Sequence, residues 1–188
     1  MKVLNDDGKG STYDIVEGIR YAADNGADII NLSLGSSYPS ELEREAVVYA
    51  QNKGCLIIAA SGNDGINVAY TYPASYDNVV SVGSVDRDDT RSYFSNYGDT
   101  LDLSAPGSSI VSTVPKAVAM EEKAEGKTVY GNDREGYYAV WSGTSMATPH
   151  VAAVAALYKA ANPSASNLDI GDQLVRTARD VEIGRAHV

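Results

Sequence analysis

"GTSMATPH", Gly143 to His150, stands between the extended stretch "YYAVWS" and the alanine-rich run "VAAVAALYKAA". The pattern turns there from strand-like to helical, and a hydroxyl sits at the change. A helix N-terminus leaves its first N–H groups without intrahelical partners, and such groups attract an anion. Ser145 is therefore either a nucleophile beside donors for an oxyanion or, with Thr144, an ordinary helix cap. Pro149 suits both readings, because proline is accepted in a first helical turn and not deeper. From about Thr144 to Asn162 nearly every residue is Ala, Val, Leu or Met, so this helix is expected to be buried. "NPS" breaks it, and "NLDIGDQLVRTA" follows as a shorter amphipathic helix.

The N-terminal half alternates helix and strand. "STYDIVEGIRYAADNG" gathers Ile15, Ile19, Ala22 and Ala23 on one helical face, with Ser11 and Asp14 as a capping box and Gly26 as the stop. "ADIINLSLG" is continuous enough in apolar residues for a strand buried on both faces. "SELEREAVVYAQNKG" repeats the helix: Ser40 and Glu43 box its start, Leu42, Ala46 and Tyr49 share a face, and Gly54 ends it. "CLIIAA" is the next buried strand. Helices and strands joined by such short connections imply parallel pairing, an α/β domain with helices layered on a mostly parallel sheet. Beyond "SGNDG", the segments "VVSVGSVD", "LDLSAPG" and "SSIVSTV" are short and extended. "PKAVAMEEKAEGKTVYGNDREGYYAV" is polar at its centre and extended at its ends, which predicts a surface excursion shaped as a long hairpin.

At 188 residues the chain suffices for one domain with a core, and no internal repeat or second domain is visible. A net charge of −10, from 25 acidic and 15 basic residues, argues against nucleic acid and against an anionic membrane surface as partners. No apolar stretch is long enough to span a bilayer. The single cysteine, Cys55, excludes an intrachain disulfide and lies in an apolar run where a buried, inert thiol is expected.

"SGNDG", Ser61 to Gly65, follows a buried strand. Asn63 is either an amide donor at the carboxyl edge of the sheet, where α/β proteins place their sites, or one of the turn residues that Asn, Asp and Gly commonly are. "NLSLG", Asn31 to Gly35, offers a strand edge for an extended peptide or is simply buried. "DDGKGS" lacks the alternating ligands and closing glutamate of a calcium loop, and "EGKT" lacks the first glycine of a phosphate loop.

Taken in order, "KVLNDDGKGS", "DIINLSLG", "AASGND", "SVGSVD", "FSNYG", "DLSAPG" and "SGTSMATPHVAAVAAL" resemble the subtilisin-like serine proteases, or subtilases, from Lys2 to about Val181. The resemblance implies a three-layer α/β fold and a serine endopeptidase acting on polypeptides, with no cofactor for catalysis. It implies that Ser145 is the acyl-forming nucleophile and that Asn63 shares the oxyanion with the Ser145 N–H. Gly8, Lys9 and Gly10, with Ser33, Leu34 and Gly35, resemble the two segments that clamp the substrate as a strand. Ala60, Ser61 and Gly62 resemble one wall of the primary specificity pocket. Structural calcium is frequent in the family, but no carboxylate cluster here assigns a site. Secretion is the family habit.

The family's aspartate and its Gly-Thr-His motif precede the serine along the chain, and neither motif is present. The sequence contains two histidines, His150 and His187. If both are helical, His150 sits about 140° around the axis from Ser145 and about 7.5 Å along it, out of reach of the hydroxyl. These departures lead us to expect a subtilase catalytic domain cut at both ends (residues 1–181), inactive as written for want of a general base. The final "EIGRAHV" matches the translation of a common sequencing adapter, so residues 182–188 are expected to be foreign to the domain. A non-catalytic peptide-binding homologue is the alternative. An α/β-hydrolase would need His187 as its base.

Overall fold

The computed structural model describes residues 1–67 and 70–180. The expected tail 182–188, and His187 with it, lies outside them. A parallel sheet ordered β1–β2–β3–β4 is built from Ile29–Leu32, Leu56–Ala60, Val79–Val85 and Leu103–Pro106. Ile29 stands opposite Leu56, and Ile57 opposite Val79. Alternation along these strands divides the core in two. Ile57, Ala59 and Val79 face α1 (Thr12–Asp24) and α2 (Glu41–Asn52), whereas Leu56, Ile58, Val80 and Val82 face α4 (Thr144–Ala161) and α5 (Asn167–Thr177). Cover on both faces accounts for the unbroken burial of β2 and β3, whereas β1, expected to be buried on both faces, is an edge strand that leaves Asn31 exposed. The three-layer α/β architecture expected from the sequence is present.

Local chemistry starts the helices where expected. Ser11 accepts the Asp14 N–H at 3.1 Å, and Ser166 forms a reciprocal box with Asp169. Ser40 accepts the Glu43 N–H at 3.4 Å, yet Glu43 does not complete a box. The face expected for α2 is also rotated. Leu42 is 60% exposed, and the buried row is Glu43, Ala46, Val47 and Ala50. The spacing i, i+3, i+4, i+7 is a single helical stripe, so burial of the two alanines and Val47 carries Glu43 inward with them.

Two further expectations are corrected. The excursion after Pro115 is a helix, α3 (Lys116–Ala124), followed by a hairpin of β6 (Val129–Asn132) and β7 (Gly136–Trp141). β7 also pairs antiparallel with β5 (Ile110–Val114), giving a second sheet of order β5–β7–β6. The good helix formers of "KAVAMEEKA" and the fully buried Ala119 decide for helix. In α4 the small residues Ala147 and Ala155 pack on the sheet with Val151, while Val154 and Leu157 are exposed. The apolar composition of α4 thus exceeds its buried face. Cys55 is buried, its thiol directed at the Ala27 carbonyl, and burial pushes its pKa up.

Candidate active site

Ser145 is the second residue of α4, whose N-cap is Gly143 and which has no side-chain cap. Neither Thr144 nor Ser145 therefore serves as the cap that the alternative reading required. Pro149 is the sixth residue of this helix rather than a first-turn residue. Its missing N–H leaves the Ser145 carbonyl without its i+4 donor. Ser33 Oγ fills that place, donating to the Ser145 carbonyl at 2.8 Å, and Ser145 Oγ donates to the Ser33 carbonyl at 3.2 Å. Two reciprocal bonds thus tie the start of α4 to the segment after β1. Among the described residues, no acceptor engages the Ser145 N–H.

Asn63 meets this helix from the loop after β2. Its Oδ1 accepts the Thr144 N–H at 2.8 Å and the Thr144 hydroxyl at 3.0 Å. The side-chain oxygen is thereby committed, and the Nδ2 donors remain beside Gly143. Thr144 is fully buried and also accepts the Gly62 N–H at 3.2 Å. Asn63 and Ser145 share a cavity of about 220 Å³ with Leu34, Gly35, Ala60 and Gly62. On its other side Asn63 borders a larger cavity of about 1060 Å³, lined also by Phe94, Ser108 and Ser142. A free N–H at the positive end of a helix, an anchored amide and a hydroxyl are thus gathered in one place. Such a set can hold a carbonyl oxygen that gains negative charge.

Ala60 and Gly62 line the smaller cavity. Ser61 does not line it: the residue is fully buried, and its carbonyl accepts Asn96 Nδ2 at 2.7 Å. Gly8, Lys9 and Gly10 meet Ser33, Leu34 and Gly35 across a third cavity of about 580 Å³. The Lys9 backbone is turned toward Asn5, whose N–H it accepts at 2.8 Å. The backbone groups of Gly10, Leu34 and Gly35 make no backbone hydrogen bonds among the described residues, so they are open to an added strand.

His150 is exposed, and its Nδ1 pairs with the Met146 carbonyl at 2.8 Å rather than with Ser145. Among the described residues no group of three or more His, Cys, Asp or Glu side chains could hold a metal ion. No helix among them is long and apolar enough to cross a membrane.

Sequence reasoning overlooked Asn96. It is fully buried. Its Nδ2 donates to the Ser61 carbonyl and, at 3.0 Å, to Thr71 Oγ1, while its Oδ1 accepts the N–H groups of Asp64 and Ile66, each at 3.0 Å. One side chain thus holds the loop that presents Asn63. Gly62 is required beside it: its φ is +99°, and a Cβ there would collide with Asn96 Nδ2. The signal was the asparagine of "FSNYG", which reads locally as a turn residue.

The subtilase family model matches residues 1–188. Subtilisin BL from Lederbergia lenta is 44% identical over 178 residues, covering 95% of this chain and 59% of that protein. Alkaline elastase YaB from Bacillus sp. (strain YaB) is 45% identical over 182 residues, covering 96% and 43%. The crystal structure of a cold-adapted subtilisin-like serine proteinase superposes with a TM-score of 0.81 at 33% identity, over 98% of this chain and 61% of that one. The chain spans 59% of the first relative's length and 43% of the second's. The α/β-hydrolase alternative falls with these matches. The chain belongs to the subtilase family, a family of serine proteases.

Proposed function

We propose that the chain carries the nucleophile and oxyanion half of a secreted serine endopeptidase site, and that it does not turn over peptide bonds by itself. A polypeptide lies extended between Gly8–Gly10 and Ser33–Gly35, its backbone pairing with the open groups of Gly10, Leu34 and Gly35. The side chain before the scissile bond enters the cavity beside Ala60 and Gly62, and the residues beyond that bond run past Asn63 into the larger one. Once a general base takes its proton, Ser145 Oγ is placed to attack the carbonyl carbon, and the resulting oxyanion would accept from the Ser145 N–H and Asn63 Nδ2. The observation that carries this reading is that free N–H beside an amide whose oxygen is already committed to Thr144.

Attack requires the hydroxyl proton to leave. In this chain the proton points at the Ser33 carbonyl, which is far too weak a base to take it, and His150 is engaged elsewhere. The serine therefore remains a poor nucleophile, and the cleft binds peptide without cutting it.

Two measurements test the proposal. Labelling by a fluorophosphonate is expected to be absent in the chain alone; labelling that disappears in Ser145→Ala would show that some other group activates the serine. Joined to the aspartate- and histidine-bearing segment of a subtilase relative, the chain is expected to hydrolyse peptides. Hydrolysis that persisted in the Ser145→Ala version would remove Ser145 from its assigned role.

A further inference from the structure

The stripe that packs α2 on the sheet begins with an acid. Glu43 is only 5% exposed. A buried carboxylate is costly unless a cation or several donors satisfy it. No lysine or arginine among the described residues lies within ion-pair distance of Glu43. Its neighbour is the Tyr76 hydroxyl, which has one proton to give. That hydroxyl already donates to the Ser40 carbonyl at 2.9 Å and accepts the Ser40 N–H at 2.9 Å. Glu43 is left with a share of one donor where an ionised carboxylate can accept several.

Glu43 lines the cavity of about 580 Å³ that separates the two cleft segments. Lys9 is the other charged residue of that lining, and it is exposed and makes no ion pair among the described residues. Leu34, Gly35 and Ser36 line both this cavity and the one at Ser145. An extended peptide with one side chain beside Ser145 therefore places an earlier one over Glu43.

We propose that this cavity is a subsite for a positively charged side chain, lysine or arginine, on the part of the peptide preceding the scissile bond, with Glu43 as the recognising group. The proposal rests on the reading of the cleft as a peptide site. An ammonium or guanidinium supplies the donors that Tyr76 cannot, and its charge compensates the buried carboxylate. An apolar side chain would instead seal that carboxylate further from water.

The test is binding of labelled peptides to the intact chain, followed by fluorescence anisotropy. The set carries lysine, arginine or norleucine at each of several successive positions before the residue that fills the cavity at Ser145. At one position lysine and arginine are expected to bind about tenfold tighter than norleucine, the scale of one charged hydrogen-bonded contact. Glu43→Gln and Glu43→Leu are each expected to remove that advantage while norleucine peptides still bind, which shows that the variants are folded. Peptide binding without a preference for a cation at any position overturns the proposal and leaves the cleft reading standing. A preference that survives both substitutions overturns it as well. Binding of no peptide at all overturns the cleft reading and the subsite together.

Discussion

Replacing Asn96 with alanine tests whether one buried amide holds the loop that presents Asn63. The backbone N–H of residue 96 keeps its bond to the Gly62 carbonyl at 3.0 Å, so only the side-chain bonds are lost. The Ser61 carbonyl and Thr71 Oγ1 lose a donor in surroundings that exclude water, Ser61 being fully buried and Thr71 7% exposed. Each buried group left without its partner costs about 1–3 kcal/mol. Asp64 and Ile66 are exposed, so water can satisfy their N–H groups at little cost. The sum is about 2–6 kcal/mol, a large share of the roughly 5–15 kcal/mol that stabilises a typical domain. Urea unfolding followed by the fluorescence of Trp141, the one tryptophan, and by circular dichroism measures it. Asn96→Asp keeps the acceptor for the two N–H groups but loses both donors and buries a charge, so it should destabilise at least as much. A loss below about 1 kcal/mol in Asn96→Ala would refute the reasoning, because it would mean that Ser61 and Thr71 find other partners or water.

Three other outcomes follow from the same structure. Ser33→Ala removes the donor to the Ser145 carbonyl, and Pro149 has no N–H to replace it; a loss of about 1 kcal/mol in urea unfolding is expected, and no loss would mean that this junction is solvated. Burial raises the Glu43 pKa above its ordinary 4.5, so the folded chain holds that proton more tightly than the unfolded chain does. The associated stability is complete below the ordinary value and is lost as pH rises through the raised one; Glu43→Gln should flatten that fall in melting temperature, leaving the contribution of Asp102, which burial shifts the same way. Leu157, at 72% exposed, should tolerate lysine within about 0.5 kcal/mol despite its place in an apolar helix, and a larger loss would place that face in a contact.

The parallel sheet was legible because a strand covered on both faces must be apolar throughout, as "CLIIAA" is; "ADIINLSLG" forms a strand as expected, but at the sheet edge and with Asn31 exposed. Helix starts were legible for the same local reason: Ser11 and Ser40 meet N–H groups three residues away. Ser145 and Asn63 were assigned through the resemblance to the subtilases, because their local patterns alone fit a helix cap and a turn equally well. The inward turn of Glu43 was not legible, since one residue of rotation separates it from Leu42 and the apolar pattern alone favours the leucine. It took the sheet to decide which stripe of α2 packs. The work of Asn96 was hidden likewise, because its partners Ser61 and Thr71 lie 35 and 25 residues away in the chain. The proline in the second turn of α4 is explained only by Ser33, 112 residues from the carbonyl it satisfies. Caps, strand runs and motif spacing are set by neighbours along the chain, and sequence alone determined them. Satisfying buried polar groups depends on which distant residues folding brings within 3 Å or so, and only the tertiary structure decided that.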